Sequence, residues 1–321
     1  MNLLASLRYL VALQEHRHFG RAAQACHITQ PALSNALRAL EAEFGAVIVK
    51  RGRTFAGFTP EGERVLQSAR LMLHERELLQ QDLASVAGRP QGRLVIGVVP
   101  AAVPVAARFA AQLQALHPGI TPTVRSMSSP EIEAGLEELT LDLGLGYTDR
   151  MGTGGAKLDQ VPQYDERYWL VRRAPQPTTA AAAAGLALGG TISWADAAKQ
   201  PLCLLTPEMH NRTIVDGAFA AAGVAVTPAM ETNSILTLAL AVLEGQVCSV
   251  VPGAVLGAVM AWRELQALAL VAPELQTPVG FMLVRAARHS HTVEAALALA
   301  RDAAWLKHAA RHSGALALGA H

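Results

Sequence analysis

The chain has 321 residues, 51% hydrophobic and 17% charged, a balance that excludes an extended disordered protein and calls for two or three compact units rather than one core. No run of eighteen or more apolar residues occurs, and the N-terminus lacks the charged, apolar and small-residue succession of a signal peptide. A cytoplasmic protein with no membrane partner is the expectation. The net charge of +1 conceals an asymmetry: residues 1–58 carry seven Lys and Arg against three Glu, a net +4, which leaves −3 for the rest. A basic head on a mildly acidic body suits a polyanion engaged at one end.

In chain order, Leu3, Leu7, Leu10, Val11 and Leu13 recur at helical spacing. A second short helix is expected over Phe19 to Ala25, followed by a turn at Cys26-His27-Ile28. Thr29 is placed to cap a third helix that carries Pro31 in its first turn and stops at Gly45. Its inward face is read as Leu33, Ala36, Leu37, Leu40 and Phe44, and its outward face as Gln30, Ser34, Asn35 and Arg38. Short polar side chains near the start of an exposed helix are what a DNA major groove accepts. A strand is expected at Ala46 to Val49, then a basic turn from Lys50 to Thr54 and a second strand, which together make a wing whose cations meet phosphate.

Thr59-Pro60-Glu61-Gly62-Glu63 opens a long helix expected to reach about Val86. Along it Val65, Ala69, Met72, Leu79, Leu83 and Val86 form a heptad seam interrupted by Arg76, read as a dimerisation surface with no core of its own beside it. Residues 88–92 have the composition of a hinge. Alternating strands and helices follow. Strands are expected at 94–99, 121–125, 141–146, 168–171, 202–205, 229–232, 247–251, 267–271 and 279–284, with helices at 103–116, 129–138, 211–222 and 234–244. That order implies a parallel sheet with helices on both faces. The Ala- and Gly-rich stretch 178–190 fits no element and is read as a surface insertion or a poorly ordered segment.

Ala22-Ala23, Ile28-Thr29-Gln30-Pro31-Ala32-Leu33-Ser34, Leu40-Glu41, Lys50-Arg51 and Phe58-Thr59-Pro60-Glu61-Gly62 together resemble the LysR-type transcriptional regulators of bacteria. The likeness is strong over residues 3–64. It implies an α/β protein with an all-α winged helix-turn-helix at 1–58, a linker helix at 59–87, and a two-lobed effector domain like that of periplasmic binding proteins at 93–310. Lobe I would hold 93–165 and 271–310, lobe II 166–270, and 311–321 would be a tail. The implied partners are double-stranded promoter DNA, further copies of the chain in a homodimer or homotetramer, and RNA polymerase. No cofactor and no enzymatic activity are expected.

Carried over by position, Thr29, Gln30, Pro31, Ser34, Asn35 and Arg38 match the recognition-helix contacts, and Arg51 and Arg53 match the wing. Two departures stand in the wing: Ile48-Val49-Lys50-Arg51 replaces a leucine-phenylalanine pair before the arginine, and Gly57-Phe58 replaces the usual leucine. For the effector the resemblance nominates Pro100, Ala101, Ser128, Ser129, Tyr147, Thr148, Thr206, Asn211, Arg212 and Asn233. Several fall at expected helix starts, which favour an anion, so a small organic acid or oxyanion is the expected ligand.

Three other readings are open to the sequence. The segment from His16 to Ala23 is similar to the peroxide-sensing branch of the family, which would make Cys203 and Cys248 redox sensors, but they are 45 residues apart in apolar runs. His16, His18, Cys26 and His27 have no common metal spacing and read as helix-end and turn residues. An architectural DNA-binding protein that senses nothing is the third. A phosphate loop, nucleophile elbow or zinc-binding helix is not found in the sequence.

Overall fold

The computed structural model describes residues 2–52, 55–85, 89–149, 158–174, 185–285 and 289–313. They form two compact units, one up to Gly88 and one from Arg89.

In the first unit, helix α1 (Leu3–His16) is capped by Asn2, and α2 (Phe19–Ala25) by His18, whose Nδ1 accepts from the N–H groups of Gly20 and Arg21. Helix α3 (Gln30–Phe44) begins where Thr29 Oγ1 accepts from Ala32 N and ends at Gly45 in the left-handed conformation. Leu7, Leu10, Leu13, Ala22, Ala23, Leu33, Leu37 and Leu40 meet in one core. Phe44, expected inside, is 42% exposed. It is the last residue of α3.

The wing is an antiparallel pair, β1 (Val49–Arg51) and β2 (Phe55–Phe58). The first strand starts later than expected, at Val49 instead of Ala46. Glu41 Oε1 accepts from the N–H groups of both Ile48 and Val49, so the segment entering the wing is tied to α3 before it pairs. Helix α4 (Pro60–Ala84) starts at the Thr59 cap, and a Cβ on Gly62 would lie 2.1 Å from the Ile48 carbonyl oxygen. Only glycine allows this close approach of the helix to the wing backbone.

The second unit is a two-lobed α/β structure. Lobe I contains β3 (Gly92–Val98), α5 (Val103–Leu116), β4 (Ile120–Ser126), α6 (Ser129–Glu137) and β5 (Leu143–Tyr147), with β3 parallel to both β4 and β5. A 16-residue strand, β6 (Leu158–Arg173), then crosses into lobe II. Lobe II holds β7 (Ala187–Ser193), α7 (Trp194–Ala197), β8 (Leu202–Leu205), α8 (His210–Ala221), β9 (Met230–Thr232), α9 (Ile235–Glu244), β10 (Cys248–Pro252), α10 (Gly253–Leu256) and β11 (Leu265–Val271). Strand β12 (Gln276–Val284) returns to lobe I, where α11 (His291–Ala300) and α12 (Ala303–His312) finish the fold.

Strand β6 makes the lobes one sheet: residues 158–167 pair with β12, and residues 168–173 lie between β10 and β11. The lobes join where β6 passes Arg167 and where β11 turns into β12. Part of the stretch expected to be an insertion is strand: Ala187 to Ser193 pairs in parallel with β11. Residues 178–184 of that stretch lie outside the described residues. Helix α12 reaches His312, so the C-terminal helix runs past the expected start of the tail.

Separate cores fill the lobes. Lobe I packs Phe109 against Phe281 and Trp305, and its buried Gln163 is fully used, its amide donating to the carbonyls of Val161, Pro162 and Ala300 and its oxygen accepting from Trp305 Nε1. Buried polar groups are tolerated when paired in this way.

Candidate functional site

The first candidate surface is the outer face of α3 with the wing beside it. Thr29, Gln30, Pro31, Asn35 and Arg38 are exposed and Ser34 is half-buried, because the three-four spacing of Leu33, Leu37 and Leu40 turns the opposite face to the core. Arg38 Nη1 donates to Asn35 Oδ1 at 3.2 Å, so the two present themselves together. Lys50 is exposed on the wing and the Arg51 backbone closes β1 against Phe55. Arg53 lies outside the described residues. Hydrogen-bonding amides on a helix and cations on an adjacent ribbon are the two parts that base readout and phosphate attraction require.

The seam on α4 divides. Ala69 is fully buried and Val65 half-buried in the core formed with α1, so these two serve the fold of their own unit and leave the dimerisation set. The expectation that nothing packs beside this helix is corrected accordingly. Met72, Leu79 and Leu83 are exposed, at 44%, 55% and 75%. Val86 lies outside the described residues.

The second candidate site is the cleft between the lobes of the second unit. Pro100, Ala101, Ser128, Ser129, Tyr147 and Asn211 line it, joined by Val99, Leu205, Met209 and His210. The centre of a water-sized sphere has about 10 Å³ to move in, room for about one water molecule. Chain connectivity explains the convergence. The turn after β3, the start of α6, the end of β5 and the start of α8 all lie at the carboxyl ends of strands, where crevices form in open α/β sheets.

Asn211 Nδ2 donates to the Tyr147 hydroxyl at 2.8 Å across the two lobes. Burial pushes the Tyr147 phenol well above its ordinary pKa, so it stays neutral with its own proton to donate. Ser129, 7% exposed, has a hydroxyl without a hydrogen-bond partner among the described residues. Ser128 is already engaged: its N–H and Oγ both donate to Glu131 Oε2 at 2.7 Å, and these bonds hold the Glu131 carboxyl below its usual range.

Four nominated residues fall outside the cleft lining. Arg212 is buried but spent. Its Nε donates to both oxygens of Asp216, and Nη1 donates to Glu231 and to the Leu205 carbonyl, so its charge is neutralised within lobe II. Thr148 is tied to the Pro278 carbonyl, Thr206 Oγ1 donates to Glu208, and Asn233 is exposed. His210 was missed although it adjoins Asn211. Its ring packs edge-on against Tyr147, with Nε2 3.7 Å from Asp149 Oδ1.

Cys203 and Cys248 lie on neighbouring strands, but Cys203 packs into the core holding Trp169 and Val251, whereas Cys248 packs into the core on the opposite sheet face with Leu202 and Val250. Thiols on opposite faces cannot reach disulfide geometry, and burial raises the pKa of each. His16 and His18 end α1 and cap α2, as helix-end residues do.

Comparison with known proteins agrees with this architecture. Residues 4–63 match the model "Bacterial regulatory helix-turn-helix protein, lysR family", and residues 87–305, more than half of the chain, match "LysR substrate binding domain". The DNA-binding transcriptional dual regulator OxyR of Escherichia coli is 40% identical over 101 residues, covering 32% of this chain and 33% of that protein. The SDS degradation transcriptional activation protein of a Pseudomonas species is 36% identical over 121 residues, covering 37% and 40%. The chain thus aligns with only about a third to two fifths of the length of these curated relatives.

Among solved structures, a full-length OxyR variant from Pseudomonas aeruginosa superposes with a TM-score of 0.65 at 22% identity, covering 96% of this chain and 94% of the other. Full-length CbnR complexed with its target DNA superposes at 0.62 and 20% identity, covering 96% and 99%. These likenesses concern the fold. With both of its units matched in order, the chain belongs to the LysR family.

Proposed function

We propose that the chain is a cytoplasmic, sequence-specific DNA-binding transcriptional regulator whose geometry on promoter DNA is set by a small effector held between the lobes of its second unit. The observation that carries the sensing part is the cleft itself, where a buried Ser129 hydroxyl with no hydrogen-bond partner among the described residues stands beside a Tyr147–Asn211 hydrogen bond that bridges the lobes. A ligand that accepts from Ser129 and replaces or reinforces that bridge changes the balance between open and closed lobes. With room for about one water, the cleft must part for anything larger.

The effector is a small carboxylate or inorganic oxyanion bound by neutral donors: the Ser129 hydroxyl, the Asn211 amide and the first turn of α8. Arg212 takes no part, since its charge is met by Asp216 and Glu231. Footprinting of the full chain on a selected duplex, with a panel of small acids, tests this. The expected result is a ligand-dependent change in footprint length that Ser129→Ala abolishes while the ligand-free footprint stays, and that Asn211→Ala, which also removes the bridge between the lobes, abolishes too. A response only to cationic or wholly apolar molecules overturns the ligand class, and no response to any metabolite favours an architectural protein.

Several other curated relatives, among them one of Pectobacterium carotovorum, bear the name hydrogen peroxide-inducible genes activator. That signal is not carried over through Cys203 and Cys248, which face apart and do not line the cleft.

A further inference from the structure

Helix N-caps are commonly Ser, Thr, Asp or Asn, yet α2 is capped by His18. Its Nδ1 accepts from the N–H of Gly20 at 3.1 Å and from that of Arg21 at 3.3 Å. A histidine ring that accepts at Nδ1 is neutral and carries its proton on Nε2. The cap therefore fixes the tautomer. It leaves one donor at the far end of an exposed ring, with no partner for Nε2 among the described residues.

Gly20 sets the place of that donor. A Cβ on Gly20 would stand 3.2 Å from His18 Cε1, the ring carbon bonded to Nε2, and 3.6 Å from Gln30 Oε1. The imidazole and the Gln30 side chain thus flank one residue, and Gln30 is the exposed first residue of α3. The nearby cation points elsewhere: Arg21 Nη2 donates to the His16 carbonyl at 2.9 Å. The N–H groups of Gly20 and Arg21 are already satisfied by His18 and offer nothing to a ligand. What this corner of the surface presents is the imidazole N–H.

We propose that His18 is a further DNA-contacting residue, which donates from Nε2 to one backbone phosphate beside the base pair read by Gln30. The inference rests on the reading of α3 as the helix that enters the major groove. In that docking the preceding helix crosses the sugar-phosphate backbone, so a donor at its start, next to the base-reading amide, meets phosphate and not base. A neutral donor differs from the wing cations in one measurable respect. It adds a hydrogen bond to a charged group without displacing a counterion, so affinity rises while the salt slope stays.

Asparagine separates the contact from the cap. Its Oδ1 accepts from the same N–H groups, but its short side chain has no donor at the reach of Nε2. Fluorescence anisotropy of the full chain on a duplex it selects, and on copies with single phosphates replaced by methylphosphonate, tests the contact. His18→Asn is expected to bind about tenfold more weakly, the loss of one hydrogen bond to a charged group, with unchanged thermal unfolding. Its discrimination among single base-pair variants and its salt slope should match the parent's. At one phosphate, methylphosphonate should weaken the parent by about tenfold more than it weakens His18→Asn. Equal affinity of the two chains, a reduced salt slope in His18→Asn, or the same methylphosphonate profile in both overturns the proposal. A parent indifferent to duplex sequence contradicts the reading of α3, and that failure shows in the parent alone.

Discussion

Glu166 has no exposed surface and lies on the strand that joins the lobes. Its Oε1 accepts from Ala254 N at 2.9 Å, and Oε2 has no hydrogen-bond partner among the described residues. Burial raises its pKa from 4.5 to about 8, against the opposing pull of the backbone N–H groups of Ala254 and Gly253. Between those two values the folded chain holds a proton that the unfolded chain releases, so the stability from this group is full below 4.5 and falls as pH rises through about 8. Glu166→Gln keeps a neutral acceptor for Ala254 and removes the titration. Its unfolding temperature should be higher than the parent's at alkaline pH and converge with it in acid. Parallel unfolding curves at every pH would show that Glu166 is not the group responsible. Single residues were legible in the sequence where a helix start announces itself, as for Ser128, Ser129 and Asn211. They were not legible where a partner comes from a distant strand: Glu231 on β9 and Asp216 one turn along α8 remove Arg212 from the cleft, and no local pattern signals Glu231.

At the scale of elements, α4 does two jobs along its length. Its first half is held by α1 through Leu66 and Ala69, and its second half presents Met72, Leu79 and Leu83 at spacings of seven and four on one exposed stripe. An apolar stripe of this kind on a helix calls for a partner helix. Leu79→Glu should therefore raise the dissociation constant of the dimer at least about tenfold in sedimentation equilibrium, by burying a charge in the seam, without lowering the helix content. An unchanged association constant would remove α4 from the dimer interface. Elements with clear periodicity, such as α3, α5 and α8, were readable from sequence. The first ten residues of β6 were not, because Gln163 and Glu166 point inward there and break the alternation of apolar and polar residues. Strand β7 was hidden for another reason: Ala187-Leu188-Gly189-Gly190 has little strand propensity and is held by its pairing with β11.

At the scale of the molecule, the order of parts was legible because the helix-turn-helix residues carry a specific pattern and the βαβαβ order fixes lobe I. The return of β12 beside β6, which makes the lobes continuous, depends on long-range antiparallel pairing that sequence does not display. The exposed face of α3 is proposed to read base pairs and the wing to supply attraction to any duplex. Fluorescence anisotropy on a duplex selected by the full chain, and on its single base-pair variants over a range of salt, measures both at once. Gln30→Ala should lose about 1–3 kcal/mol of discrimination at one base pair with the salt slope unchanged. Lys50→Ala should weaken all duplexes alike and reduce the salt slope by about one. Equal loss of discrimination in both variants, or no preference of the parent chain for any duplex, would contradict the claim.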